Sequence, residues 1–428
     1  LRIVIWGTGE TGLAAAREML SQGHEIRLAD ERMPENALDL PVKLLDRQDM
    51  DWADLVIPSP GVPRDHEMFS YAKKVLSEIE VASSLINSRI IAVTGTNGKT
   101  TTTTLIYRIL CAAGFDVGIG GNISPPLISL VRRNPAYIVA EISSFQLEWI
   151  EHFKPYISIC LNITPDHLDR YRDMDEYIYY KLRIFANQDN DDVAVINNDD
   201  PYLKDLAEKS PIMRFSLSDE TDTSGISCVM DSRIYFRGDI EGQGPLLPDC
   251  SSLGSGVMED MLAASIVGRR LGVDNRIMEE VFRSFNVIGH RFEKIASIDG
   301  IDFIDDSKAT NVGAVDKALY GINGGVILIL GGKDKGGDFA GMISRYKSKI
   351  KKAIVLGNAA KRISREIETI VDTEPAQDMK QAVTRAYTNA ASGDTVLLSP
   401  GCSSFDMYTS YAHRGDVFKT CVNRLKKS

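Results

Sequence analysis

Residues 90 to 113 leave this chain little freedom. Ile90-Ile91-Ala92-Val93-Thr94 is an apolar strand-like run that leads straight into Gly95-Thr96-Asn97-Gly98-Lys99-Thr100, and a helical pattern follows from Thr101 to Ala113. A strand, a glycine turn and a helix in that order predict a parallel sheet with helices on its faces, because the helix must carry the chain back to begin a neighbouring strand. Such a turn also gathers several backbone N–H groups around one anion. Lys99 adds a point charge suited to β- and γ-phosphates, and the Thr100 hydroxyl suits Mg²⁺. The general phosphate-loop spacing asks for a glycine five residues before Gly98, where this chain has Val93, so the motif is a shifted variant. The plain alternative is an ordinary strand-to-helix turn that contains Gly-Lys, and Lys-Thr at a helix start directly after an apolar strand argues against it. Gly95, Thr96, Asn97, Gly98, Lys99, Thr100 and Thr101 are therefore expected to hold ATP.

The same alternation of short apolar runs and amphipathic stretches recurs along all 428 residues, as at Arg2–Trp6, Tyr137–Glu141, Ile157–Asn162, Ile301–Asp305, Val326–Gly331 and Thr395–Ser399. It predicts an α/β protein of βαβ units. The length exceeds one ordinary core. Three glycine-bearing turns, after Trp6, after Thr94 and at Gly331-Gly332-Lys333-Asp334-Lys335, mark three domains, 1–87, 88–287 and 288–428. Between Ser216 and Gly256 the pattern weakens to short strands or loops. A net charge of −10 disfavours nucleic acid and anionic membranes as partners. No run reaches the roughly 18 apolar residues of a bilayer span. The six cysteines are scattered without a CxxC pair, which fits a reducing compartment. The start, Leu1 to Trp6, reads as a strand and not as a signal peptide. A cytoplasmic protein is expected, and a monomer.

Two further features concern chemistry. Gly7-Thr8-Gly9-Glu10-Thr11-Gly12 fits G-x-G-x-x-G, and Asp30 ends the next strand. By pattern alone this is a dinucleotide site for NAD or FAD, although the geometry also suits the diphosphate of UDP. Glu141 and His167 each follow a strand and are candidate metal ligands beside the phosphate loop. A single Glu or His is more often a surface or capping residue; two leaving one sheet weaken that reading.

With these residues in view, the chain resembles the Mur ligase family. The marks are Gly95–Thr100, Glu141, Asn162 with Asp166-His167, Lys181, Gly289-His290-Arg291-Phe292-Glu293, Asp305-Asp306-Ser307-Lys308-Ala309-Thr310-Asn311, Leu330–Lys335 and Leu398–Ser404. The resemblance implies a Rossmann-like N-terminal domain, a P-loop-type ATPase centre and a Rossmann-like C-terminal domain. It implies an ATP-dependent amide-forming ligase acting on UDP-N-acetylmuramoyl-L-alanine and D-glutamate through an acyl phosphate. Two Mg²⁺ ions would be held by Thr100, Glu141, His167 and a carbamylated Lys181, the plain alternative for Lys181 being a solvated helix lysine. Lys99, His167, Lys181 and Arg291 would be catalytic, and Arg291 and Asp306 would touch ATP. Thr11, Asp30, Arg32, Ser59, Gly61, Asn122, Ser143 and Gln146 would bind the UDP substrate. Lys308, Thr310, Lys335, Ser404 and Tyr411 would bind D-glutamate. Plain alternatives exist for Asn122 as a turn residue, Ser404 as a helix N-cap and Tyr411 as a core aromatic.

One departure stands out. The family's Gly-x-His-Asn-x-x-Asn string is matched here by Gly254-Ser255-Gly256-Val257-Met258-Glu259-Asp260, without the His-Asn pair and with Asp at the last position. No adenosine contact is expected from that stretch. Other readings are a folylpolyglutamate synthase or sister ligase, a nicotinamide-dependent oxidoreductase, and a nucleotide-binding switch that makes no amide.

Overall fold

A computed structural model describes residues 1–34, 39–168, 170–217, 226–230, 233–237, 254–285, 289–322, 324–334 and 336–425. The described residues form three sheets within two compact units. The first unit comprises Leu1–Ile163, Asp175–Cys250 and Glu259–Ser284; the second comprises Thr164–Met174, Ser251–Met258 and Phe285–Ser428.

The first unit holds two sheets. One has the order Val42–Leu44, Glu25–Asp30, Arg2–Trp6, Leu55–Pro58, all parallel. Ile3, Val4, Ile5 and Trp6 are each almost wholly buried, as expected of a parallel strand covered on both faces. The other sheet runs Arg233–Arg237, Ile226–Met230, Ile212–Ser216, Val193–Asn197, Ile157–Cys160, Arg89–Thr94, Tyr137–Glu141, Val117–Gly121. Only its outermost pair, Ile226–Met230 with Arg233–Arg237, is antiparallel. The weakly patterned stretch after Ser216 thus contains two short strands.

The second unit carries the sheet Glu293–Ile298, Ile301–Asp305, Thr395–Leu398, Val326–Gly331, Ile350–Leu356, Thr373–Pro375, parallel except for its first pair. All six residues of Val326–Gly331 are buried, and helices cover both faces. No helix among the described residues is long and apolar enough to cross a membrane.

In open α/β sheets ligands sit outside the carboxyl ends of the strands. In the eight-stranded sheet, Thr94 lies beside Cys160 and Val93 beside Glu141 in register. The phosphate loop, Glu141 and the Leu161-Asn162 segment therefore leave the same edge of three adjacent strands.

Candidate active site

The loop Gly95–Lys99 is braced by its neighbours. Asn162 faces Asn97 in a reciprocal pair: the Asn97 amide donates to Asn162 Oδ1 at 2.9 Å, and Asn162 Nδ2 donates to the Asn97 carbonyl at 3.1 Å. The Thr96 amide donates to the Asn162 carbonyl at 2.9 Å, and the Thr96 hydroxyl meets the Tyr177 hydroxyl at 2.9 Å. Gly98 caps the helix Lys99–Ala112 in a left-handed conformation, φ +93°. A Cβ there would lie 2.3 Å from Asp260 Oδ1, which also accepts from the Thr102 hydroxyl at 3.0 Å. The residue at the family departure thus packs on the phosphate loop itself. Lys99 Nζ folds over the turn and donates to the carbonyls of Gly95 at 2.7 Å and Thr96 at 2.9 Å. Thr101 is fully buried, and Thr100 stands on the first turn of the helix.

Beside this loop is a carboxylate short of partners. Glu141 is 3% exposed; its Oε1 accepts from Asn122 Nδ2 at 2.7 Å, while Oε2 is buried with no hydrogen-bond partner. A buried carboxylate oxygen left so is costly unless something cationic meets it. Oxygen donors of this kind suit Mg²⁺. Asn122 is thereby more than a turn residue, since it aims this carboxylate. Lys181 lies on the helix Met174–Leu182 and is 2% exposed, its Nζ 4.7 Å from the centre of the Tyr177 ring. The solvated-lysine alternative is overturned.

His167 belongs to the second unit, in Thr164–Met174. Its backbone is left-handed, φ +56°, and its ring Nε2 lies 3.7 Å from Asp166 Oδ2, which also accepts from Asn311 Nδ2 at 3.3 Å.

The first glycine loop is closed by its own acid. Asp30 Oδ2 accepts from the Thr8 amide at 2.9 Å and the Thr8 hydroxyl at 2.8 Å, and Oδ1 accepts from the Glu31 amide at 2.8 Å. In this arrangement Asp30 ties the loop to the neighbouring strand. A Cβ on Gly12 would lie 1.9 Å from the Gly7 carbonyl oxygen, so only glycine allows this helix so near the strand. Ser59 Oγ is buried beside Gly7 without a hydrogen-bond partner. A cleft with about 290 Å³ of empty space opens between this loop and the Gly121–Pro126 turn; Glu10, Thr11, Pro60, Asn122, Ser124 and Gln146 are among its lining residues. Three predicted substrate residues, Thr11, Asn122 and Gln146, thus share one cleft. Ser143 caps the short helix Ser144–Leu147 in a capping box with Gln146. Gly61 lies in the turn after Leu55–Pro58, and Arg32 is exposed.

In the second unit, Lys308 Nζ stands 5.6 Å from the centre of the Tyr411 ring. Buried Arg414 organises their surroundings: Nε donates to Ser307 Oγ at 2.9 Å, one terminal nitrogen to the Ser307 carbonyl at 2.7 Å, the other to the Cys402 carbonyl at 3.0 Å. Burial lowers the Arg414 pKa to about 10. Ser404 is buried, and its carbonyl accepts from the amides of Met407 and Tyr408. The following helix starts only at Tyr411, so Ser404 is not its cap. Tyr411 is half-buried on that first turn, not a core aromatic. Thr310 precedes Asn311, the true cap of Val312–Tyr320. Lys335 lies outside the described residues.

Asp306 is buried and accepts from the Ser399 hydroxyl at 2.8 Å and the Phe292 amide at 3.2 Å. Burial pushes its carboxyl up to about 7 against the opposing pull of Ser399 and Arg291. His290, Glu293 and Asp305 lie close enough together to invite a metal. Their atoms are otherwise engaged: Glu293 takes Lys419 and the His290 amide, and His290 Nδ1 meets Asp305 at 2.7 Å. This group braces the segments that carry Arg291 and Lys308, whose amide donates to the His290 carbonyl.

Sequence reading missed the parts played by Asn162, Tyr177, Asp260 and Arg414. Asn162 was visible as a family mark, but pairing with the loop 65 residues earlier has no local signature.

Comparisons with known proteins identify the family. Residues 93–237 match the Mur ligase middle domain, and residues 290–402 match the Mur ligase glutamate ligase domain. A UDP-N-acetylmuramoylalanine--D-glutamate ligase of Geobacter metallireducens is 38% identical over 99% of this chain and 97% of its own. One of the same name from Geotalea daltonii is 40% identical over 99% and 97%. Among solved structures, a pseudomurein peptide ligase type C from Methanothermus fervidus superposes with a TM-score of 0.65 at 18% identity, covering 99% of each chain. A MurF ligase from Thermotoga maritima in complex with ADP gives 0.58 at 16% identity, covering 99% and 95%. Full-length identity at this level, with both domain models matched, settles the family: the chain belongs to the Mur ligases and is an amide-bond-forming ligase.

Proposed function

We propose that this chain joins D-glutamate to UDP-N-acetylmuramoyl-L-alanine with ATP, giving ADP and phosphate, as a cytoplasmic step in peptidoglycan precursor synthesis. The amino-acid specificity rests on the relatives' names and on the Asp305–Asn311 string. The observation that carries the ATP half is the braced loop Gly95–Lys99, with the partnerless Glu141 oxygen on the adjacent strand.

The substrate carboxylate attacks the γ-phosphorus of ATP, ADP leaves, and an acyl phosphate forms. The amine of D-glutamate then attacks the acyl carbon, phosphate departs, and the amine loses a proton. Charge is the obstacle in the first step, because a carboxylate approaches a polyanion. Lys99 would exchange the Gly95 and Thr96 carbonyls for phosphate oxygens. Mg²⁺, held by Thr100, Glu141, His167 and Lys181, would supply further charge neutralisation. Carbamylation of Lys181 would turn this buried amine into a carbamate, which offers oxygen ligands to the metal. Arg291 and Asp306 would meet ATP, and Lys308, Thr310, Lys335, Ser404 and Tyr411 would take the two carboxylates of D-glutamate. Thr11, Asp30, Arg32, Ser59, Gly61, Asn122, Ser143 and Gln146 would hold the UDP substrate.

The test is a mass spectrum of the product made from UDP-N-acetylmuramoyl-L-alanine, ATP and D-glutamate. A single glutamyl addition with equimolar phosphate release is expected. Equal or faster turnover with L-glutamate, L-alanine or a diamino acid would overturn the specificity.

A further inference from the structure

The cleft between the first glycine loop and the Gly121–Pro126 turn contains a side chain that the reaction above does not use. Glu10 is the first residue of the helix Glu10–Ser21 and the only ionisable group among the described residues that line the cleft. Its Oε1 accepts from the Ser124 hydroxyl at 2.5 Å, across the cleft from one loop to the other. A carboxylate is an odd choice here if the cleft takes only an anionic diphosphate, because like charges in a partly enclosed space repel. It is a sensible choice if part of the ligand is neutral and carries hydroxyl or amide N–H groups. An ionised carboxylate only accepts, and hydrogen bonds to it are stronger than neutral ones. The protein already shows the kind of donor it takes, since the Ser124 group is an aliphatic hydroxyl. Thr11, Asn122 and Gln146 line the same cleft with further hydroxyl and amide groups. Glu18, two turns further along this helix, binds Arg132 at 3.0 Å and holds the helix against the segment that follows the turn. Glu10 is thereby presented from a fixed support, not from a mobile surface.

We infer that Glu10 is a specificity-determining residue that reads a hydroxyl or amide N–H of the sugar part of a nucleotide-sugar substrate, with Ser124 standing in for that donor when the cleft is empty. This rests on the reading of the cleft as the UDP-substrate site. The nucleoside diphosphate itself gains nothing from Glu10, so the residue separates the sugar-bearing ligand from plain UDP.

Calorimetric titration of the full chain with UDP-N-acetylmuramoyl-L-alanine and, separately, with UDP tests this. Glu10→Ala is expected to weaken the sugar-bearing ligand by about tenfold while leaving UDP unchanged or slightly tighter, and Glu10→Gln to recover part of the loss, as an amide oxygen still accepts. Ser124→Ala, which removes the competing donor, is expected to tighten the sugar-bearing ligand by about threefold. In steady state the Glu10→Ala loss should appear in KM for that substrate, with kcat within about twofold. Equal weakening of both ligands, tightening of both, or no change with either variant at Glu10 would overturn the assignment. A wild-type protein that binds neither ligand would instead overturn the reading of the cleft, and the inference would fall with it.

Discussion

Glu78 shows how one atom's surroundings set a measurable property. It is 1% exposed; Oε1 accepts the Ile128 amide at 2.5 Å, and Oε2 is buried without a hydrogen-bond partner. Burial pushes its carboxyl from an ordinary 4.5 up to about 7, against the pull of the Ile128 amide. Between those values the folded chain keeps a proton that the unfolded chain releases. Stability from this group therefore falls as pH rises from about 4.5 to 7 and is level above that. Glu78→Gln has no such proton, so wild type should lose roughly 3 kcal/mol relative to the variant between pH 4.5 and 7.5. Urea unfolding of both proteins at the two pH values measures this, and a parallel pH course for the two would rule it out. Gly98 is a second case. A side chain there meets both a left-handed φ and Asp260, so Gly98→Ala should cost about 2 kcal/mol and raise KM for ATP. If Asp260 is half the cause, adding Asp260→Ala should restore part of the stability in the same unfolding assay.

At the scale of the element, the phosphate loop is a turn whose shape is set from outside. Asn162 satisfies both the amide and the carbonyl of Asn97, while its own backbone carbonyl takes the Thr96 amide. Asn162→Ala removes the two side-chain bonds and keeps the backbone one. It should raise KM for ATP by about tenfold with kcat for saturating ATP little changed, because the loop must then be ordered by the nucleotide itself. Steady-state kinetics with ATP as the varied substrate checks this, and an unaltered KM would show the loop to be self-supporting. The loop was legible in the sequence because Ile90–Val93 before it is uniformly apolar and its helix starts at Lys-Thr. Buried parallel strands such as Val326–Gly331 were legible for the same reason. Val117–Gly121 was not, since three of its five residues are glycine and its burial comes from its neighbours. Glu293–Ile298, an antiparallel edge strand with Lys294 and Ser297 exposed, mixes polar and apolar residues too evenly to stand out. Asp260 was a departure from a pattern until the fold set it against Gly98, 162 positions earlier. Contacts of that range leave no periodicity to read.

Across the first unit, acids on helices beside the smaller sheet reach segments of the larger one. Glu78 and Glu80 lie on the helix Glu78–Leu85, and Glu80 accepts the amides of Glu151, His152 and Phe153 at 3.0, 2.9 and 2.8 Å. Glu10 and Glu18 reach Ser124 and Arg132 from the helix Glu10–Ser21. Hydrogen bonds from three backbone donors to one buried carboxylate leave three orphans when it is removed, which is worse than losing an apolar contact of equal size. Glu80→Ala should therefore cost roughly 3 kcal/mol or more. It should also change the form of unfolding, because the smaller sheet packs its own cluster around Val4, Trp6, Met50, Ala53 and Val56. Calorimetry of the full chain is expected to resolve an earlier transition for that sheet in Glu80→Ala, where wild type melts the two sheets together. ATP with Mg²⁺ identifies the partners: only the later transition contains the loop Gly95–Lys99, so only that one should move upward with nucleotide. If nucleotide raised both transitions of the variant equally, the two sheets would still be coupled without Glu80, and the carboxylate would be stabilising its own loop instead of the junction.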